Sequence, residues 1–112
     1  MKKNSYDVQV AQICAYISEH LTEDLTYRNL REQLHVTQHH LTGRFPRAMG
    51  ITVTDYIIRK RLKLAIDKVQ TGTKIEEAAY SSGFRTYSHF YKEFRKNYGT
   101  SPRVYFSKEA KK

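Results

Sequence analysis

The stretch Ile75-Glu76-Glu77-Ala78-Ala79-Tyr80-Ser81-Ser82-Gly83-Phe84-Arg85-Thr86-Tyr87-Ser88-His89-Phe90-Tyr91-Lys92-Glu93-Phe94-Arg95-Lys96-Asn97-Tyr98-Gly99 decides the fold. Thr73 and Glu76 stand as Thr-x-x-Glu at its start, the pattern of a capping box. That predicts a short helix with Ile75, Ala78 and Ala79 on its apolar side, broken at Ser82-Gly83. Thr86 is placed to cap a stronger helix, in which Phe90 and Phe94 stack one turn apart. Lys92, Arg95 and Lys96 face elsewhere on it, and Gly99-Thr100-Ser101-Pro102 ends it.

Upstream, the same unit occurs again. Placing Gly50 on Gly99, an offset of 49 residues, brings Phe45 onto Phe94 and Leu41 onto Phe90. Leu30-Arg31 falls near Ala78-Ala79 once one residue is inserted in the turn. Thr26 is a candidate N-cap ahead of a short apolar stripe of Tyr27, Leu30 and Leu34, and Thr37 is another, ahead of Leu41 and Phe45. Each copy is a short helix, a tight turn and a longer helix ending in glycine, which is a helix-turn-helix written twice.

Two further helices complete the chain. The first runs from about Val8 to His20, with Val10, Ile13, Cys14, Ile17 and Leu21 at helical spacing. The second runs from about Thr54 to Gln70; Ile58, Leu62, Ala65, Ile66 and Val69 line one face, and Arg59, Lys60 and Lys63 lie mostly off it. No alternating strand pattern of useful length is present, so the fold class is all-α. The expected organisation is an N-terminal helix-turn-helix subdomain over about 8–50, a linker helix over about 54–70 and a C-terminal helix-turn-helix subdomain over about 73–106. A solvated, disordered tail over 107–112 follows.

Composition narrows the function. The 112 residues carry 20 Lys and Arg against 11 Asp and Glu, a net charge of +9. A chain of this length is one domain, or two very small subdomains sharing a core, with little room for a deep catalytic cleft. Nine Tyr and five Phe supply a compact core although only 39% of residues are hydrophobic. One cysteine excludes an intramolecular disulfide and speaks against a Cys-based zinc site, as in a reducing, cytoplasmic setting. No apolar run reaches the roughly 20 residues of a membrane span, and none follows the basic N-terminus as a signal peptide requires. A small, strongly basic domain calls for a polyanionic partner, with nucleic acid first and an anionic membrane surface second. No nucleophile–base set, metal cluster or Gly-rich phosphate loop is present, so an enzyme is the least supported class and no cofactor or metal is expected.

The repeated unit suits a DNA reader. Its first short helix braces the second, which presents its N-terminal turns to base edges in the major groove. Two direct repeats on one chain would read successive groove segments about 34 Å apart, favouring an asymmetric site bound by a monomer. The other readings are a basic protein-interaction module docking an acidic partner, and membrane-surface binding by a basic helix. The latter conflicts with a core that needs the apolar face of the 54–70 helix.

The chain resembles a known family. Ile75, Ala78-Ala79, Gly83-Phe84, Ser88, Phe90, Phe94, Gly99, Pro102 and Tyr105 together resemble the C-terminal signature of the AraC/XylS transcription regulators. Gly50, Tyr56, Arg61-Leu62 and Ala65 resemble the family's linker helix; Leu25-Thr26-Tyr27, Leu30, Thr37, Leu41 and Phe45 match more loosely. The resemblance implies a seven-helix, homeodomain-like DNA-binding domain that regulates transcription, often as an activator touching RNA polymerase, in the cytoplasm at the nucleoid. It implies recognition helices over about Gln38 to Phe45 and about Tyr87 to Lys96. Base-facing candidates carried over by position are Gln38, His39 and Thr42 in the first, and Tyr87, Ser88, Tyr91 and Lys92 in the second. Arg85, Lys96, Arg103, Lys60 and Lys63 are the phosphate candidates, and Arg44 stands with the DNA contacts of the first helix.

Three departures bear on the first half. Arg31 stands where the family has a small residue, so its side chain must snorkel outward. Gly43 stands where the family commonly has arginine, and it weakens a helix by about 1 kcal/mol relative to alanine. Pro46 stands where a lysine-like residue is usual; it removes the bond to the Thr42 carbonyl and disfavours helical geometry at Phe45. A first recognition helix that kinks or ends near Phe45 is therefore expected.

Simpler roles are expected elsewhere. His35, His39 and His40 read as surface or groove-facing rather than metal-binding, because a turn separates the first two and no carboxylate is close in sequence. Cys14 reads as a packing residue, and Phe84, Phe90 and Phe94 read as core. Tyr87 and Tyr91 are open between groove contact and packing. Arg61 is open between bracing and phosphate contact, and Lys68 reads as solvated. No effector-sensing segment is visible; the leader at Met1 suits a stand-alone regulator, and a piece of a longer one is the alternative.

Overall fold

Helical periodicity and side-chain caps, four of them threonines, shape the computed structural model, which describes residues 7–110, with side chains to Ser107. The helices are α1 Val8–Glu19, α2 Tyr27–Leu34, α3 Phe45–Met49, α4 Val53–Gln70, α5 Ile75–Ser81, α6 Tyr87–Tyr98 and α7 Pro102–Ala110; α3 is entered through a π turn, His40–Arg44. There is no strand among the described residues, so the seven-helix, all-α architecture holds. The chain packs as two units, 1–57 and 58–112, divided within α4.

In the first unit, Asp7 caps α1 by accepting from the backbone N–H groups of Gln9 and Val10 at 2.9 and 3.3 Å. The same carboxylate ion-pairs with Arg44 Nε at 2.7 Å and is 9% exposed. Partial burial pushes the Asp7 pKa up. The bonds from Val10 and Arg44, with the charge of Arg44, outweigh that and hold it below the ordinary carboxylate value. Thr26 Oγ1 accepts from Asn29 N at 3.2 Å and caps α2. His35, with φ of 56°, ends that helix in the left-handed region. Val10, Ile13 and Ile17 of α1 then pack with Leu30, Val36, Leu41, Phe45, Val53 and Ile57. Tyr56 stands edge-on to Phe45, with ring centres 5.5 Å apart.

Of the expected kink or end near Phe45, the end does not occur, and Phe45 itself keeps helical geometry, with φ and ψ of −61° and −52°. The helix is irregular just before it, over His40–Arg44. The Phe45 N–H bonds back five residues to the His40 carbonyl, giving the π turn. Pro46 has no N–H to give and needs room near the Thr42 carbonyl, and this wider turn accommodates both. The helix then runs to Met49 and closes at Gly50.

In the second unit, Ala78 and Ala79 of α5 are fully buried; their small side chains let α5 lie close against its neighbours. With Leu62, Ala65 and Ile66 of α4 and with Phe84, Phe90 and Phe94, they form the core. Phe94 is the hub: its ring centre lies 4.8 to 5.9 Å from those of Tyr98, Tyr105, Phe90 and Phe106. Thr86 Oγ1 caps α6 through His89 N at 3.1 Å. Gly50 and Gly99 close their helices with φ of 79° and 77°, each donating at 2.8 Å to the carbonyl four residues back. The 49-residue offset therefore relates backbone conformations as well as letters.

Three local expectations are corrected. The Thr73–Glu76 capping box is absent: the Thr73 N–H bonds the Lys68 carbonyl at 2.9 Å to close α4, and α5 starts after Lys74. Lys68 is not a solvated residue; its Nζ donates to the Ser81 carbonyl at 2.8 Å and to Ser81 Oγ at 3.0 Å, supporting the C-terminus of α5. The tail expected from 107 is helical as far as Ala110, while 111 and 112 lie outside the described residues.

Phe94→Ala is expected to cost about 3–5 kcal/mol in urea unfolding, a large share of the roughly 5–15 kcal/mol of a typical domain. The Asp7 carboxyl is favoured in its charged form by folding, so its contribution is present at neutral pH. That contribution is lost as pH falls below the ordinary carboxylate value of 3.8. Asp7→Asn keeps a cap but loses the ion pair. Its melting temperature should lie below that of the parent at about pH 6 and approach it by about pH 2.5.

Candidate nucleic-acid interface

A helix turns about 100° per residue, so burial of two residues four apart fixes the face left in water. In the second unit Phe90 and Phe94 point inward. Ser88, Lys92 and Lys96 then fall on the far side of α6, and all three are exposed. Tyr91 is on the flank, 39% exposed. Tyr87 is different: three residues before Phe90 and seven before Phe94, it shares their face. Its ring is half-buried, 5.5 Å from that of Phe90. Burial pushes its phenol pKa up, opposed by the nearby charge of Arg103. Arg85 is exposed just before the Thr86 cap, and Arg103 is exposed in the first turn of α7. This unit thus brings Arg85, Ser88, Tyr91, Lys92 and Lys96 to the exposed start and outer face of α6.

The first unit repeats the geometry with different chemistry. Thr37 Oγ1 accepts from His40 N at 3.2 Å, as Thr86 does from His89. Leu41 and Phe45 are buried, which leaves Gln38, His39 and Thr42 exposed. Gln38 is engaged by Arg31, whose half-buried stem snorkels outward to bond Gln38 Oε1. The Thr42 hydroxyl donates to the Gln38 carbonyl at 3.0 Å. Arg44 is turned onto Asp7. The His39 ring lies against Gly43, where a Cβ atom would stand 2.9 Å from His39 Cε1.

On α4, Lys63 pairs with Asp67 at 2.8 Å, and Lys60 is exposed. No group of three His, Cys, Asp or Glu that could hold a metal occurs among the described residues. No described helix is long and apolar enough to cross a membrane.

The electrostatics divide at the unit boundary. Residues 1–57 hold six Lys and Arg against six Asp and Glu; residues 58–112 hold 14 against five. The whole +9 charge therefore belongs to the second unit. Two features escaped the sequence reading although the signal was there. The offset of 49 also pairs Thr37 with Thr86 and His40 with His89, and a charge count by halves separates a neutral unit from a cationic one. The Asp7–Arg44 pair, 37 residues apart, left no local trace.

Comparison with known proteins places this architecture. A family model described as a helix-turn-helix domain matches residues 30–108. The probable transcriptional regulator LumQ of Photobacterium leiognathi is 34% identical over 91 residues, covering 80% of this chain and 37% of LumQ. The chain spans about a third of the length of the curated relatives it matches. Among solved structures, a probable AraC family transcriptional regulator from Rhodopseudomonas palustris superposes with a TM-score of 0.74 at 25% identity. That match covers 86% of this chain and 92% of the other. The DNA-binding domain of the global transcriptional factor AdpA, solved in complex with a target DNA, gives a TM-score of 0.79 at 25% identity over 88% and 90% of the two chains. The chain belongs to the AraC-type helix-turn-helix family, whose fold is that of DNA-binding transcriptional regulators rather than enzymes.

Proposed function

We propose that this chain binds double-stranded DNA in a sequence-specific manner, inserting α6 and the helix that starts after Thr37 into two successive major-groove segments. The observation that carries the reading is the twice-built, threonine-capped helix whose buried aromatic turns a polar face outward. The second unit supplies the Coulombic attraction: Lys92 and Lys96 lie on the exposed face of α6, with Arg85 and Arg103 close in sequence to its two ends. Ser88, Tyr91 and Lys92 are its base-facing groups; Tyr87, fixed against the core, contributes its edge and hydroxyl. Gln38, His39 and Thr42 serve the first unit, while Lys60 and Arg103 serve phosphate. Arg44 and Lys63 reach DNA only by exchanging Asp7 and Asp67 for phosphate. The chain works as a monomer on an asymmetric site, regulating transcription in the cytoplasm at the nucleoid, as an activator that touches RNA polymerase.

If about six phosphates are neutralised, affinity should fall on the order of a thousandfold between 50 and 200 mM salt. A flat response over that range removes the proposal. Lys92→Ala should weaken a selected site by about 1–3 kcal/mol more than a random duplex if Lys92 reads a base, and both equally if it holds phosphate. Selection from a randomised duplex pool that enriches no motif would favour a basic module that docks an acidic protein.

A further inference from the structure

We propose that His39 is the base-reading side chain of the first unit and that Gly43 is the residue that positions it. The inference rests on the DNA-reading function proposed above and assigns its specificity in the first half.

Four neighbouring polar side chains are already committed within the chain. Gln38 is held by Arg31, His40 by Thr37, Thr42 by the Gln38 carbonyl and Arg44 by Asp7. His39 makes no such bond among the described residues and is exposed on the face opposite Leu41 and Phe45. It sits in the first turn of the helix, the part that faces base edges when such a helix enters the groove. Yet its ring is not loose. It rests over Gly43, one turn along, with Cε1 and Nδ1 at 2.9 and 3.0 Å from the place where a Cβ would stand. Any residue other than glycine at 43 would displace it.

The second unit shows what the arrangement replaces. At the offset of 49, Ser88 stands for His39 and Lys92 for Gly43. There a small residue leaves the face to a long cation. In the first unit the cation is gone and the imidazole lies across the vacated surface. The unit has no net charge, so its helix cannot gain from long-range attraction what the second helix gains. Contact there must be made by shape and hydrogen bonds. An imidazole offers a donor nitrogen and an acceptor nitrogen in fixed geometry, which suits a base edge. Holding the ring before binding reduces the ordering cost of that contact.

The test uses the full chain and a site selected from a randomised duplex pool. Affinities of the parent, His39→Ala, Gly43→Ala and the double variant are measured on that site, on each single base-pair variant of it and on a random duplex. Both single variants should lose preference at the same base pair of one half of the site, by about fivefold to a hundredfold. The double variant should lose no more than either, and preferences in the other half should be unchanged. Gly43→Ala should melt no lower than the parent, because alanine favours helix and the displaced group is the end of a side chain. A loss of specificity with undiminished stability is an effect a purely structural glycine would not produce. Preference that survives either substitution, equal loss on random DNA, or a lowered melting temperature for Gly43→Ala overturns this inference and leaves the DNA-reading function standing. No enriched site for the parent overturns both.

Discussion

Burial of one phenylalanine in each unit, Phe45 and Phe94, decides what the surface offers. With Leu41 and Phe90 one turn before them, these rings fix the rotation of their helices. The threonine caps fix where each helix begins, by satisfying an N–H group that would otherwise lack a partner. Rotation and starting point together determine which side chains face outward. His39 and Gly43 occupy that face in one unit, and Ser88 and Lys92 in the other, because of aromatic contacts made on the opposite side. The outward face is thus a consequence of core packing, although none of its residues belongs to the core.

The same scaffold then carries two electrostatic regimes. The second unit holds 14 basic residues against five acidic ones, a large excess of positive charge. Such charge costs some compactness through self-repulsion, which Lys63–Asp67 and Lys68–Ser81 partly offset locally. In the first unit, three arginines are paired: Arg28 with Glu32, Arg31 with Gln38 and Arg44 with Asp7. The exposed Arg28–Glu32 pair contributes little to stability. The Arg44–Asp7 pair does more, because one carboxylate also caps α1 and so couples the start of one helix to the end of the π turn.

Much of this was legible in the sequence, and the failures share a cause. The all-α fold, the repeat and the caps at Thr26, Thr37 and Thr86 follow from periodicities within a few turns. The packing of Tyr87 was legible too, since spacings of three and seven from Phe90 and Phe94 put it on their face. The Thr73–Glu76 pattern misled because the preceding helix competes for the same backbone group: Lys68 O takes the Thr73 N–H first. Lys68 misled because its acceptor lies 13 residues away, and Arg44 because Asp7 lies 37 residues away. Pairings across such gaps depend on tertiary approach, which periodicity does not carry.

Gly43 and Pro46 bring the two levels together. By helix propensity, a glycine and a proline within four residues should end a helix. The chain instead keeps the same spacing from cap to closing glycine in both units, Thr37 to Gly50 and Thr86 to Gly99. The π turn is therefore not the trace of an inserted residue; it is how a helix of fixed length accommodates a proline without an N–H. The imidazole of His39 lies against the glycine. Both violations sit on a segment anchored from behind by Leu41 and Phe45, so the core tolerates them. Local rules thus fail at two half-buried positions while the buried Leu41 and Phe45 obey them.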